Sequence, residues 1–507
     1  MPRQWGSGEF RVKKCSTVQA AATTVIVLVL SVSATAQVSE TNGATAPLGS
    51  ITTPRPINPA TETANPSARA AQALNPYLGS MPDGNVNQEE LKLSLGDVVM
   101  RGLRFNLGLI DSQQADAAVR AQRGGALAAL LPQISAHAQQ TYQQLSYKEL
   151  GIRLAGIQLP PTSGGFGYSE ARVVAQSALF NMELLDKYKA QRALEAASVL
   201  NTKDARDVVV FAVGAAYFQV VASEARLATM KAALESAREL DSQVAHQYQS
   251  EVSPEIDALR AHVELHTAEQ RVVDATNDLE KDKLTLDRIT GIPLEQRWTP
   301  SRGYDYVPLP EQDEYATRAA QTRSDLASLK QSVSAAELSV KAAQAQRLPA
   351  ISFEASYGAG GVNSANFNQV YLVSGEVSVP LFTSGRIRSD VHLAEATLLQ
   401  RRAEYRDLEG RIEYDVRVAL LDLKASDSAV KVAAENKILA RRALTQSQDR
   451  YSNGVTNYLE VLQALEAVVS AQQNYVASLF SFNVAKISLA RALGSSEARL
   501  SALFSDQ

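Results

Sequence analysis

Two histidines four residues apart, in His262-Val263-Glu264-Leu265-His266, come closest in this 507-residue sequence to a metal-binding spacing. On a helix they share a face, as a pair gripping one ion must. Glu264, however, sits two residues from each and points away, whereas zinc peptidase chemistry needs glutamate directly after the first histidine. The spacing therefore fits surface histidines better than a metal centre. His137, His246 and His392 are dispersed, so no Ser/His/Asp or Cys/His arrangement can be assembled for nucleophilic attack. The glycine-rich stretches Ser163-Gly164-Gly165-Phe166-Gly167 and Gly358 to Gly361 fit a phosphate cradle poorly, because a strand pattern follows each rather than a helix. These patterns predict no enzyme, no cofactor and no metal.

What must be positioned is therefore architecture. From Leu381 to the C-terminus there is no proline, and glycine occurs only at Gly410, Gly454 and Gly494. Such a run is helical, with a turn where Ser452-Asn453-Gly454 supplies helix-ending chemistry. Asn181 to Gln249 also lacks proline and holds only Gly214, so it predicts a helix of roughly 100 Å at 1.5 Å per residue. An offset of 203 residues maps Tyr248 onto Tyr451, Val252 onto Val455, Leu259 onto Leu462 and Gly291 onto Gly494. The chain thus reads as an internal repeat.

The returning helices carry small and large apolar residues three and four apart: Ala261, Leu265, Ala268, Val272, Ala275, Leu279, Leu286 and Ile289, with Asp282 the exception. The second copy keeps Tyr458, Leu462, Leu465, Val469, Val476 and Leu479 in register. This suits coiled-coil-like packing of antiparallel hairpins.

Between helices the period changes to two. Ile351, Phe353, Ala355 and Tyr357 alternate with Ser352, Glu354 and Ser356, and Tyr371, Val373, Val377 and Val379 with Ser374, Glu376 and Ser378. A similar pair runs from Ile134 to about Tyr147 and from Tyr168 to Phe180, and both glycine-rich stretches read as loops. Each strand is long enough to cross a bilayer when tilted. Four strands cannot close a barrel, whose minimum is about eight, so closure needs several copies, and three would supply twelve. The loop of the first hairpin is the longer by 15 residues, and in a membrane barrel long loops face outside.

The N-terminus reads as a secretory signal over 1–36: Arg3, Arg11, Lys13 and Lys14, an apolar Ala20 to Val32, and the cleavage signature Ala34-Thr35-Ala36. The only cysteine, Cys15, lies before the apolar core, so neither lipidation, a disulfide nor a cysteine nucleophile is expected in the mature chain. Cleavage removes four basic residues and Glu9, leaving a net charge of −7, and nothing resembles a nucleic-acid footprint. Residues 37–90 predict a disordered or surface-running tail, with Asn75 to Ser80 left open as a docking segment. Leu91 to Gln122 reads as helical with a weak point at Gly102 to Gly108. The repeats then span 91–292, with a hairpin of helices over 181–290, and 323–498, with strands over about 349–357 and 370–382 and a hairpin over 386–493. A connector over 293–322, carrying a helical segment near Glu314 to Ala320, and a C-terminal tail over 499–507 complete the chain.

Taken together, Leu131-Pro132, Leu348-Pro349, Val379-Pro380-Leu381-Phe382 and the stretch from Tyr451 to Ala464 resemble the TolC-type outer-membrane efflux family over about residues 88–498. The resemblance implies a mostly α fold with a β-barrel part. Long antiparallel hairpins form an α-barrel, continued by a transmembrane β-barrel with four strands per protomer of a homotrimer. It implies a passive exit duct in the outer membrane, with a tunnel projecting into the periplasm. A periplasmic adaptor and, through it, an inner-membrane pump are the implied partners. The implied adaptor contacts are the turns Ser250, Glu251, Val252 and Ser253, and Asn453, Gly454, Val455 and Thr456.

The family's gate falls on Glu460 and Gln463, the latter an amide where a second carboxylate is expected. Three copies of Glu460 would place a cation-attracting ring on the axis. Asp257 and Arg260 occupy the equivalent positions of the first repeat, and Tyr451 could donate a closing hydrogen bond. Thr456 stands where the family has a basic partner, so that salt bridge is not expected. Without the resemblance, Glu460 would read as a residue on a solvated helix face. The alternative is a periplasmic coiled-coil structural or adaptor protein that never inserts.

Overall fold

The computed structural model describes residues 75–84, 86, 89–147, 160–251, 253–301, 306, 319, 321–362, 367–494 and 496–497. The stretch read as a signal, most of that read as a tail, Val252, nearly all of the Glu314 to Ala320 segment and residues 499–507 lie outside them. A 3-10 turn at Pro76–Leu78 precedes β1 (Leu91–Leu93), α1 (Leu95–Phe105), α2 (Leu107–Ala128), β2 (Gln133–Ser146) and β3 (Thr162–Phe180). The long α3 (Met182–Gln249) and α4 (Glu255–Thr290) follow, then β4 (Trp298–Pro300), α5 (Ser324–Ala345), β5 (Ala350–Val362) and β6 (Asn368–Ser378). Last come α6 (Arg386–Ser452) and α7 (Tyr458–Ala492). The order helix, strand, strand, long helix, return helix occurs twice.

The core sits midway along α3. Val209, Val210, Val213, Tyr217 and Val220 are fully buried against Val98 and Val99 of α1, Leu286 and Ile289 of α4 and Ile487 of α7. This surround makes α3 the one helix among the described residues apolar and long enough to cross a membrane by composition, with half of that window buried inside the protein. Asp282, out of place in the apolar register of α4, accepts hydrogen bonds from Ser223 Oγ (2.5 Å) and Gln219 Nε2 (3.2 Å) of α3. The hairpin thus satisfies its one misplaced carboxylate internally.

The four long strands form one antiparallel sheet in the order β2-β3-β5-β6. Ile351 faces Val377, Ala355 faces Val373 and Tyr357 faces Tyr371, so the apolar residues share one face. That face is bare: Ile134, Tyr142, Tyr371 and Val373 are 74%, 79%, 81% and 65% exposed. The strands extend through the glycines that the sequence assigns to loops, because tyrosines lie over them. A Cβ on Gly165 would come within 2.5 Å of the Tyr142 hydroxyl, and one on Gly360 equally close to Tyr168. Glycine inside a strand marks such an approach.

One further expectation changes. Residues 91–93 are not helical: β1 pairs in parallel with β4, inside the stretch read as an irregular connector. The helix does break within the expected interval Gly102 to Gly108, at Asn106, because the buried Asn106 amide caps α2 at Gly108 N (3.0 Å). It also donates to Tyr77 O (2.8 Å) and Ile289 O (3.2 Å). The end of the tail is docked on this hub. Met81 N donates to Phe105 O (2.9 Å), Asp83 N to Gly291 O (3.1 Å) and Ser80 Oγ to Arg288 O (2.7 Å).

Candidate functional site: the helix-hairpin turns

The turn between α6 and α7 is built from its capping residues. Gly454 takes φ +71°, its N–H donates to Tyr451 O (3.0 Å), and Val455 N–H reaches back to Arg450 O (2.9 Å). This is a Schellman ending, which needs a left-handed residue and favours glycine there. Asn457 then caps α7 by accepting from Glu460 N (3.2 Å). Glu460 is thereby held at the entrance of the helix, where a carboxylate also meets the favourable end of the helix dipole. Its carboxylate accepts the Thr456 hydroxyl and lies 3.7 Å from Arg450 Nε.

The first turn repeats this geometry with a different residue. Glu251 adopts φ +59°, and its N–H donates to Tyr248 O (3.0 Å). A non-glycine residue here bears a strain of about 1 kcal/mol. Asp257, in the first turn of α4, pairs with Arg260 at 3.3 Å. Arg260 thus finds its carboxylate partner on its own helix.

The two turns are joined. Tyr451 Oη donates to Gln247 Oε1 at 2.6 Å, and its ring meets Tyr458 edge-on at 6.2 Å. Beneath them Tyr458, Val461 and Leu465 of α7 pack with Leu240 and Val244 of α3 and Ala261 of α4. Burial first, then the charges of Glu264, Asp241 and Asp257 and the neighbouring Tyr451, push the Tyr458 phenol up to about 12. Burial also raises Tyr451, assisted by Asp257 and opposed by a Ser253 hydrogen bond. Both phenols therefore stay protonated, and Tyr451 serves as the donor to Gln247.

Of the residues expected at this site, Glu460 and Thr456 come together, Tyr451 sits beside Ser253 and within the field of Asp257, which pairs with Arg260, and Gln463 is exposed. Ser250, Glu251, Asn453, Gly454 and Val455 are exposed at the tips, and Ser253 and Thr456 are half-buried. Sequence reasoning missed Arg450, Gln247 and Asn457. The 203-residue offset places Gln247 opposite Arg450, and asparagine three residues before Glu460 is an N-cap signal.

At the far end of the helices the polar face of the sheet carries Arg172 with Glu170 (2.8 Å) and Gln176 donating to Glu354 (3.3 Å). A hollow of about 400 Å³ there is lined by Gln133, Gln176, Glu354, Ser374 and Glu376, among others. Polar groups facing an open hollow suit an aqueous path.

These features have counterparts in known proteins. The model of the outer membrane efflux protein family matches residues 106–292 and 316–495. The pyoverdine export outer membrane protein OpmQ of Pseudomonas putida is 26% identical over 310 residues, 60% of this chain and 65% of that protein. The alkaline protease secretion protein AprF of Pseudomonas aeruginosa is 25% identical over 307 residues, 58% of this chain and 63% of that protein. The match thus spans just under two thirds of each relative. In three dimensions the fold is that of the Campylobacter jejuni CmeC outer membrane channel, with a TM-score of 0.71, 18% identity and coverage of 83% of this chain and 92% of that one. VceC of Vibrio cholerae gives 0.67 and 19%, covering 79% and 96%. The protein has the fold of an outer-membrane channel and a mostly helical body carrying a sheet, and with the family model covering well over half of its residues, the chain belongs to the outer membrane efflux protein family and resides in the outer membrane.

Proposed function

We propose that the chain is one third of an export duct: a homotrimer whose twelve strands close a β-barrel in the outer membrane and whose helical hairpins form a tunnel into the periplasm. The carrying observation is the sheet. It has four strands, an apolar face open to the outside, a polar face lining a hollow, and edge strands β2 and β6 with one neighbour each among the described residues. Unpaired edges of that length are unstable alone, and no four-stranded sheet closes. Pairing β6 of one protomer with β2 of the next satisfies both edges without new structure. The same bare apolar face argues against a periplasmic coiled-coil protein, which would leave it in water.

The duct is passive, with transport energy supplied by its partners. Residues 1–36 act as the signal peptide, 37–90 as a tail whose end docks, and the two repeats and their connector follow the boundaries given above. The exposed turn residues Ser250, Glu251, Asn453, Gly454 and Val455, with Ser253 and Thr456, face a periplasmic adaptor that couples to an inner-membrane pump. Val252 belongs with them by sequence. The names of two relatives mention pyoverdine export and alkaline protease secretion, and both small molecules and proteins are proposed as cargo classes. Glu460 lines the constriction, its charge partly offset by Arg450.

Reconstitution into planar bilayers tests this reading. Discrete ion-conducting steps from the purified protein are expected, with low conductance in the closed state. Absence of any conductance from correctly folded protein would reject the duct.

A further inference from the structure

The histidine pair set aside on sequence grounds acquires partners in the fold. His262 and His266 lie on α4, eight and twelve residues beyond Pro254 in the first turn, and their side chains are 61% and 64% exposed. Their rings meet edge to face, with centroids 4.6 Å apart. Each ring has a carboxylate beside its Nδ1: His266 Nδ1 is hydrogen-bonded to Glu269 Oε2 at 3.1 Å, and His262 Nδ1 lies within ion-pair range of Asp241 Oδ1 of α3, at 3.5 Å. An Nδ1–H held by a carboxylate leaves Nε2 as the lone-pair nitrogen, the arrangement that orients a ligating histidine and raises its basicity. Two such rings one helical turn apart can reach one ion.

Glu264 takes no part. It turns toward Arg271 (3.5 Å), which also holds Glu466 of α7 at 2.8 Å. Among the described residues no third ligating side chain converges here. The protein would therefore supply two inner ligands and water the remainder, an open and exchangeable site. Imidazole pairs of this kind select late first-row divalent ions, copper and nickel ahead of manganese or magnesium.

We propose that His262 and His266 bind one divalent late transition-metal ion per chain, through their two Nε2 atoms, with Asp241 and Glu269 as orienting partners. The ion clamps one turn of α4. Through Asp241 it ties that turn to α3 just above the hairpin tip.

The test is titration of the untagged, detergent-solubilised full chain with Ni2+ and separately with Zn2+, by calorimetry, in a non-chelating buffer at pH 7.5. One ion per chain is expected, with at least about a tenfold loss of affinity in His262→Gln and in His266→Gln. Asp241→Asn and Glu269→Gln weaken binding less than the histidine changes, and Glu264→Ala leaves it as in the wild type. Circular dichroism confirms that each variant keeps its helices. Absence of saturable binding in the wild type, or unchanged binding in either histidine variant, overturns the site. So does a loss in Glu264→Ala as large as in the histidine variants.

Discussion

Tyr451, in the last turn of α6, donates its phenolic proton to the side-chain oxygen of Gln247, in the last turn of α3, across 2.6 Å. This bond joins the two helical hairpins beside their tips, directly over the aromatic contact with Tyr458. If the tips part when the duct opens, the bond must break or move. A net hydrogen bond of this kind contributes about 1 kcal/mol. Tyr451→Phe should shift the closed-to-open ratio toward open by roughly fivefold for each chain that carries it, and Gln247→Ala should do the same. Single-channel open probability reads this, and a double variant no more open than either single one would mark the bond as the shared cause.

Glu460 is predicted to set cation preference only in competition with Arg450. Its carboxylate lies 3.7 Å from Arg450 Nε and accepts the Thr456 hydroxyl. Glu460→Ala should lower the cation-to-anion permeability ratio, and Arg450→Ala should raise it. Reversal potentials in a salt gradient measure both. Equal reversal potentials in all three proteins would remove Glu460 from the constriction.

The two turns differ in strain at equivalent positions. Gly454 at φ +71° tolerates its conformation, whereas Glu251 at φ +59° does not. Gly454→Ala should destabilise the second turn by about 1 kcal/mol, and Glu251→Gly should relieve a similar amount in the first. Hydrogen exchange at the turn amides should move in opposite directions in the two variants.

Burial of Asp287 makes hub stability pH-dependent. Its carboxylate, 3% exposed, accepts the Trp298 indole N–H at 2.8 Å and is pushed up to about 7, mainly by desolvation. Between the ordinary value of 3.8 and about 7 the folded chain holds more protons than the unfolded one. Stability is therefore greatest at the acidic end and falls as pH rises through 7. Asp287→Asn keeps an acceptor for Trp298 but cannot ionise. The melting temperature of the wild type should fall between pH 5 and pH 8 relative to this variant, whose profile should be flatter. Lys486, lowered to about 8 by burial, acts in a separate window above pH 8.

Much of this architecture is legible because long helices and alternating strands announce themselves by period. The absence of proline from Asn181 to Gln249 predicts α3, and the alternation from Ile351 to Tyr357 predicts the face of β5. The strand ends are not legible, because glycine normally signals a turn. Only the tyrosines lying over Gly165 and Gly360 make glycine a strand residue here. Asn106 illustrates the same limit, since its role depends on carbonyls of Tyr77 and Ile289 distant in sequence. At the turns, Glu460 and Tyr451 follow from position, whereas Arg450 and Gln247 matter only through side-chain geometry across two hairpins. The pairing of His262 with Asp241 is hidden in the same way, because the partner lies on the neighbouring helix.

The central claim is that this chain supplies four strands to a barrel it cannot close alone. The most direct measurement is the mass of the detergent-extracted protein from the outer-membrane fraction, by light scattering corrected for bound detergent. Three chains per particle is the predicted result and accounts for both unpaired edges of the sheet. A monomer with native helical content, or recovery solely from the soluble periplasmic fraction, would contradict it.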